Sequence, residues 1–302
     1  MRSTTLDRGR RLQAARLLLA SADASADRIL AEEVFQSVLT VEVTQFERED
    51  YDQAILIYHA VFGDKKEALT VANRALSLTR QEPRKWLHVT AQMNASLALR
   101  ISDPTDAAVI QLSDCYEHVR AIGATAWCIR AASRIANFTL DDGDTALARH
   151  WASRASVHAA VADAGRLPAD YLSAQADLAI IGGNFDEARK WIDSMRVNSP
   201  IYKAPRFRME LLSYSLRLAQ YEGAPNNDEA IEALLEWHFR ARGFARHDDA
   251  MDALWFGLTQ QRRSALASKL LDEYLESYRR EACQPGHFLR SRSANDPAWA
   301  SR

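Results

Sequence analysis

The sequence predicts an all-α protein built as an array of stacked helical hairpins. Glycine and proline are scarce, with 11 and 8 residues in a chain of 302, which is about half of their usual share, and β-branched residues rarely cluster. Glycine also recurs on a grid of 40 residues, at positions 63, 143, 183 and 223. A repeated unit of this length buries its apolar face only against its neighbours, so this periodicity predicts an α-solenoid.

The stretch 180–195 shows how one repeat is built. Gly183 and Asn184 form the predicted turn between two helices. Asp186 and Glu187 follow in the first turn of the second helix, where the helix dipole favours negative charge. Four apolar residues then recur at the i, i+3, i+4, i+7 spacing of one buried helix face: Ala188, Trp191, Ile192 and Met195.

Similar residues recur at the same position of successive 40-residue units, and we call each such set a column. Alanine stands five residues past the turn at positions 68, 108, 148 and 188. The empty turn slots hold Asp23, Asp103 and Arg263. We interpret the two aspartates as turn or N-cap residues. Two further columns are apolar throughout: Phe35, Ala75, Cys115, Ala155, Met195, Leu235 and Leu275, and Leu18, Tyr58, Ala98, Phe138, Leu178, Leu218 and Leu258. We therefore expect about seven repeats of two helices each.

The periodicity sets the predicted domain bounds. It continues to residue 283 and then stops, so we predict one repeat domain over 1–283 and a polar, partly disordered tail over 284–302. Breaks between helices are expected where turn residues cluster: at 22–25, 81–84, 102–104, 123, 141–144, 166–168, 182–184, 198–203, 223–227 and 243–246.

Composition narrows the class of partner. The formal net charge of −2 gives no general attraction to nucleic acid or to anionic lipid. No apolar run is long enough to span a bilayer, so we expect no membrane partner. Three cysteines are too few for a disulfide framework in a chain of this size, which favours the reducing cytoplasm.

The sequence carries no recognised catalytic or cofactor motif, so we expect a protein that is not an enzyme and needs no cofactor. Cys115, His118 and Cys128 are close enough in sequence to be considered as zinc ligands. Zinc sites require four ligands at familiar spacings, however, and Cys115 already occupies an apolar column. We therefore predict no metal site.

The N-terminal region contains a segment with some likeness to a DNA-binding motif. Residues 30–34 followed by 43–48 resemble a helix-turn-helix, and four arginines precede them: Arg8, Arg10, Arg11 and Arg16. A helix-turn-helix requires a tight turn where Phe35 and Gln36 stand. This spacing disfavours DNA binding, which stays the lesser alternative to a first helical repeat.

A family resemblance follows from three of the turn segments. Gly63-Asp64-Lys65-Lys66-Glu67-Ala68, Gly143-Asp144-Thr145-Ala146-Leu147-Ala148 and Gly183-Asn184-Phe185-Asp186-Glu187-Ala188 resemble the centre of the tetratricopeptide repeat. The likeness covers roughly residues 5–282, with a period longer than the family's ~34 residues. It is similar to the long-helix variety in the sensor regions of bacterial maltose-type and peptide-responsive transcriptional regulators. The resemblance implies that the α-solenoid is a right-handed superhelix.

The resemblance also implies a binding site. In tetratricopeptide proteins the first helices line a concave surface, and some bind a peptide carboxylate through an asparagine and two basic residues. Asn94, Arg134 and Arg130 occupy similar slots here, and Asn137 adds an amide on the same helix. The family's lysine and asparagine of the first repeat are replaced by Gln53 and Ile57.

These observations lead to two functional hypotheses. The first is a non-catalytic, cytoplasmic scaffold or adaptor that binds a protein or peptide on its concave face. The second is a signal-sensing regulator of transcription whose helical repeats bind an effector. The sequence does not predict the oligomeric state.

Overall fold

The computed structural model describes residues 4–25, 27–44, 47–62, 65–80, 85–102, 106–162, 167–198, 204–224 and 227–240, and the positions 254, 257, 258, 263, 265–270 and 272. The described residues up to 240 form twelve α-helices, and positions 254, 257, 258, 265–270 and 272 are helical as well. No β-strand occurs among the described residues. The all-α class predicted from the sequence is confirmed. Helices that are neighbours in sequence pack against each other, as expected for a helical repeat. The described residues fall into two compact units, up to Gln111 and from Leu112 onward.

Unit 1 contains five complete helices: α1 (Thr4–Ser25), α2 (Arg28–Leu39), α3 (Arg48–Val61), α4 (Lys65–Thr79) and α5 (Lys85–Ser102). Helix α3 lies at its centre and packs against the other four. The rings of Phe35 on α2 and Tyr58 on α3 are stacked, with centroids 3.8 Å apart. Ala54 and Ala68 are fully buried in the same core, where their small side chains let α3 and α4 approach closely.

Unit 2 begins within α6 (Asp106–Ala121). It continues with α7 (Thr125–Asp141), α8 (Thr145–Ala159), α9 (Ala169–Ile181), α10 (Phe185–Asn198), α11 (Pro205–Tyr221) and α12 (Asp228–Arg240). We call α7, α9 and α11 the first helices of unit 2, because each precedes a hairpin turn. They contact one another in succession, and each also packs against the helix that follows it.

The hairpin turns of unit 2 depend on glycines in the left-handed region. Gly143, Gly183 and Gly223 have φ values of 89°, 71° and 70°, which cost a residue with a Cβ atom about 1–2 kcal/mol. At the end of α9 the amide of Asn184 donates to the oxygen of Ala179 (2.8 Å), as in a Schellman motif. The turn predicted at Gly183 and Asn184 is confirmed.

The predicted columns are buried in most repeats. Ala68, Ala108, Ala148 and Ala188 are buried, as are Tyr58, Ala98, Phe138, Leu218 and Leu258 of the column before the turn. Phe35, Cys115, Ala155, Met195 and Leu235 are also buried. Ala75 and Leu178 are half-buried, while Gly63 and Leu275 lie outside the described residues.

Two predictions for the first repeat are wrong. Asp23 lies inside α1, and the N-cap of α2 is Asp27, whose carboxylate accepts from the amide of Leu30 (3.0 Å). Leu18 is 44% exposed, whereas Ala22, four residues later, is fully buried. Asp23 is helical because α1 continues to Ser25, further than the 40-residue grid allows. Leu18 is exposed because α1 packs against α2 and α3 through Leu19 instead.

Three of the expected helix breaks, at 123, 141–144 and 182–184, are confirmed in unit 2. Those at 166–168, 198–203 and 223–227 include positions outside the described residues. The break expected at 22–25 is wrong, since α1 continues to Ser25 and α2 begins at Arg28, and an additional break separates α2 from α3. Residues 81–84, 103–104 and 243–246 lie outside the described residues, as does the tail 284–302. The 40-residue period, the right-handed twist and the bounds of the repeat domain stay predictions.

Candidate functional site

Helix α7 carries three of the four residues proposed as a binding site. Its amphipathic sequence buries ten side chains, among them Cys128, Ile135 and Phe138. The side chains left partly or fully exposed include Trp127, Arg130, Arg134 and Asn137, a spacing of three or four residues that places them on one face of the helix. We call these four residues the α7 stripe.

The side chain of Arg134 binds a neighbouring helix. Its Nη2 donates to Oδ2 of Asp170 on α9 at 3.3 Å, and only 17% of the Arg134 side chain is exposed. An ion pair of this length at a partly exposed site is worth about 0–1 kcal/mol. Arg134 therefore pairs with an acid on an adjacent helix.

The side chain of Asn137 binds the same neighbouring helix. Its side-chain Nδ2 donates to the main-chain oxygen of Asp170 at 3.0 Å and lies 3.3 Å from Oγ of Ser173. The amide therefore binds the first turn of α9, and Arg134 and Asn137 are brought together on one neighbouring residue. Both side chains hold α7 against α9.

Arg130 differs from Arg134. Its side chain is exposed, and its guanidinium carbon lies over the ring of Trp127, 5.5 Å from the centroid. An exposed cation–π contact of this kind is worth about 0.5–1 kcal/mol and favours the position of the guanidinium over the Trp127 ring. Among the described residues, Arg130 has no carboxylate within ion-pair distance. It is the member of the α7 stripe best placed to bind an external anion.

Asn94 is half-buried on α5 and belongs to unit 1, whereas the α7 stripe belongs to unit 2. The two substituted family positions also lie in unit 1. Gln53 is buried and donates to Oε1 of Glu49 (3.0 Å), and Ile57 packs against the core of this unit. These contacts are typical of residues that stabilise α3.

Sequence reasoning missed a second polar link, between α9 and α11. The carboxylate of Asp177 accepts from the hydroxyl of Tyr214 (2.8 Å) and from Nη1 of Arg217 (2.6 Å). Asn137, Asp177 and Arg217 are spaced by 40 residues, so they occupy one slot of the grid. This recurrence of polar residues at one position of the repeat could have predicted the link, because polar side chains at that position can connect successive first helices.

The cysteines are placed as apolar residues. Cys115 and Cys128 are both buried with free thiols, while His118 is exposed. Burial raises the pKa of the Cys115 thiol to about 12, and burial also raises the pKa of Cys128. The described part of the chain contains no group of three His, Cys, Asp or Glu side chains that could hold a metal ion.

The N-terminal candidate for DNA binding has a different geometry from a helix-turn-helix. Helix α2 ends at Leu39 and α3 begins at Arg48, whereas a helix-turn-helix joins its two helices by a turn of about three or four residues. Arg16, one of the four arginines considered, forms an ion pair with Asp50 on α3.

Comparisons with known proteins add no family to these observations. Neither a scan against protein-family models nor a search of curated proteins finds a match to this chain. Among the helices of the described ranges, none combines the length and apolar character needed to cross a membrane.

Proposed function

We propose that the protein is a non-catalytic scaffold or adaptor that binds a protein or peptide on the first helices of unit 2. We further propose that its hairpins are tetratricopeptide-like, that they follow one another in a right-handed solenoid, and that the protein works in the cytoplasm. The buried, free thiols of Cys115 and Cys128 support the last point, because free cysteines persist in reducing compartments.

The proposal rests on the exposure and the contacts of the Arg130 side chain. An exposed guanidinium that lies over the ring of Trp127, with no acid partner among the described residues, is poised for a charge-assisted hydrogen bond. A carboxylate of the partner supplies the matching acceptors. Because the arginine is already oriented, less side-chain entropy is lost when the partner binds.

The other residues of the proposed site have different roles from Arg130. Arg134 and Asn137 hold Asp170 and so fix α9 beside α7. In the proposed site Arg134 adds positive charge near Arg130, and Asn137 keeps the surface rigid. We keep Asn94 as a proposed contact for a peptide amide, and test it separately because it lies in unit 1.

The experiment is a comparison of partner capture by matched variants. Tagged full-length wild type, Arg130→Ala and Arg149→Ala are used to recover proteins from the native cell extract, followed by mass spectrometry. Arg149 is an exposed arginine on α8 and controls for the general loss of one positive charge. A partner recovered by wild type and Arg149→Ala, but lost with Arg130→Ala, is then prepared for calorimetry.

We expect Arg130→Ala to weaken binding of that partner by at least about 2 kcal/mol, the range of an interface hot spot. The Asn94→Ala variant is measured in the same way. Equal affinity of Arg130→Ala and wild type, with unchanged circular dichroism, would eliminate the α7 stripe as the binding surface.

A further inference from the structure

One apolar side chain of each first helix of unit 2 stands at the same position of the 40-residue unit. Trp127 lies in the first turn of α7 and Phe207 in the first turn of α11, while Leu167 lies just before the beginning of α9. Each is separated from the next by 40 residues, and all three are only half-buried. We call Trp127, Leu167 and Phe207 the apolar row.

The apolar row crosses the three first helices of unit 2. Helix α7 packs against α9, and α9 packs against α11, so equivalent positions of these helices follow one another across the surface. A single exposed apolar residue is ordinary for a soluble protein. Three at one position of successive helices form a line, which fits an elongated ligand better than a compact one.

The spacing of the helices selects the conformation of such a ligand. Packed helices lie about 8–10 Å apart. A polyproline II segment has three residues per turn and rises about 3.1 Å per residue, so every third side chain recurs on one side after about 9 Å. In a β-strand the side chains on one side recur after about 7 Å, which is shorter than the distance between the helices. A polyproline II segment therefore brings successive apolar side chains to successive members of the apolar row.

Two members of the apolar row are aromatic and contact an arginine in the same way. The guanidinium carbon of Arg130 lies 5.5 Å from the ring centroid of Trp127, and that of Arg206 lies 5.6 Å from the ring centroid of Phe207. Aromatic side chains line the grooves in which several kinds of domain bind proline-rich segments. The arginine contacts favour one position of each ring, so less side-chain entropy is lost when a ligand binds.

Charge at a neighbouring position sets where an acidic residue of the ligand lies. Arg130 on α7 is exposed, with no carboxylate within ion-pair distance among the described residues. The equivalent residue of α9 is Asp170, whose side chain is 36% exposed. An acidic residue of the ligand is therefore attracted beside Trp127 and repelled beside the beginning of α9.

We propose that the apolar row binds a segment of the partner in polyproline II conformation, with an apolar residue at every third position. An acidic residue stands beside the apolar residue that contacts Trp127. The proposal rests on the proposed function, because Arg130 binds the carboxylate in both. It adds a conformation and a sequence pattern that a carboxylate site alone does not specify.

Three synthetic peptides of identical composition test the spacing and the position of the acid. Glu-Leu-Pro-Pro-Leu-Pro-Pro-Leu-Pro places leucine at every third residue, whereas Glu-Leu-Pro-Leu-Pro-Leu-Pro-Pro-Pro places it at every second. In Pro-Leu-Pro-Pro-Leu-Glu-Pro-Leu-Pro the acid follows the central leucine. Each peptide is acetylated and carries fluorescein at its C-terminus, and anisotropy is measured with full-length protein up to about 200 μM.

We expect the first peptide to bind at least about tenfold more tightly than the second, because only its leucines match all three members of the apolar row. The third peptide should bind about fivefold more weakly than the first, since its acid lies beside Asp170 instead of Arg130.

The matched variants are Phe207→Ser and Phe239→Ser. Both remove a phenyl ring from unit 2, since Phe239 on α12 is 49% exposed, but only Phe207 belongs to the apolar row. We expect Phe207→Ser to weaken binding of the first peptide at least about fivefold and Phe239→Ser to leave it unchanged. Circular dichroism should confirm that both proteins fold like wild type. Leu167→Ser, which changes a residue outside the helices, is the second variant of the apolar row and should act like Phe207→Ser.

Three results would overturn the proposal. They are no binding of the first peptide, equal affinity of the first and second peptides, and an affinity for the first peptide that neither Phe207→Ser nor Leu167→Ser lowers. If Arg130→Ala still loses the captured partner in these cases, the apolar row fails and the proposed function stands. If the first peptide binds selectively while Arg130→Ala retains the partner, the apolar row stands and the proposed carboxylate site fails.

Discussion

Asn137 on α7 donates its side-chain amide to the main-chain oxygen of Asp170 on α9, 3.0 Å away. Arg134, one turn earlier on α7, donates to the carboxylate of the same residue. Two of the residues predicted to bind a ligand thus bind a neighbouring helix. In a helical array, the face that lines a binding surface is also the face on which successive first helices meet.

Replacing Asn137 by alanine tests this structural role. We expect Asn137→Ala to lower the free energy of unfolding by about 1–2 kcal/mol, because the amide bonds to Asp170 and Ser173 are lost. Chemical denaturation followed by circular dichroism measures the change. Asn73→Ala, at an exposed position on α4, serves as the control and should change stability by less than about 0.5 kcal/mol. Equal losses for the two variants would contradict the assigned role.

The link between Asp177 and Arg217 is expected to contribute more than a surface ion pair. Their side chains are 19% and 17% exposed, and the N···O distance is 2.6 Å. A double-mutant cycle of Asp177→Ala and Arg217→Ala should give a coupling energy of about 1–2 kcal/mol.

The control for this cycle is the exposed pair Asp193 and Arg196 on α10. These residues are one turn apart and largely in water, so their coupling energy should be about 0.2–0.5 kcal/mol. If the two cycles give the same coupling, burial between α9 and α11 does not strengthen the Asp177–Arg217 pair.

The hairpin turn after α9 provides a third prediction. Gly183 has a φ of 71°, and an added Cβ atom there has open space around it. The cost of Gly183→Ala therefore comes from backbone conformation alone, and we expect a loss of about 1–2 kcal/mol in the free energy of unfolding. Gly183→Asn should cost less, because asparagine adopts the left-handed region more readily. An alanine variant as stable as wild type would show that the turn relaxes to a different conformation.

The sequence predicted the helices and turns of unit 2 well, because their signals are local. Gly183 stands where the backbone requires a positive φ, and Ala188 stands where two helices approach. The buried face of α1 was harder to predict, because its three consecutive leucines lie on different sides of the helix. Only the packing of α2 and α3 decides that Leu19, and not Leu18, is buried.

The candidate site was less predictable for a related reason. The sequence placed Arg130, Arg134 and Asn137 on one face of a first helix, and the structure has them on the exposed side of α7. It could not reveal that Asp170 lies within reach of Arg134, because that distance depends on how α9 packs beside α7. The Asp177–Arg217 link depends on helix packing in the same way.

The buried thiol of Cys115 gives a prediction at alkaline pH. Burial raises the folded-state pKa to about 12, above the ordinary value of 9.0. A raised folded pKa means that the unfolded state loses its proton first, so the contribution of Cys115 to stability is complete below about pH 9 and is lost as pH rises toward 12. The free energy of unfolding of wild type should therefore decline over this range. In Cys115→Ala the decline should be smaller, because this titrating group is absent.

Thiol reactivity provides an independent measurement of the same burial. In a Cys283→Ser background, native protein at pH 8 should react with Ellman's reagent only slowly, because the reactive thiolate is disfavoured at both Cys115 and Cys128. In denaturant both thiols should react at once. Rapid reaction of one thiol in the native protein, lost in Cys115→Ala and retained in Cys128→Ala, would show that Cys115 is accessible. It would also contradict the position of Cys115 in the buried column that Ala155 and Met195 share.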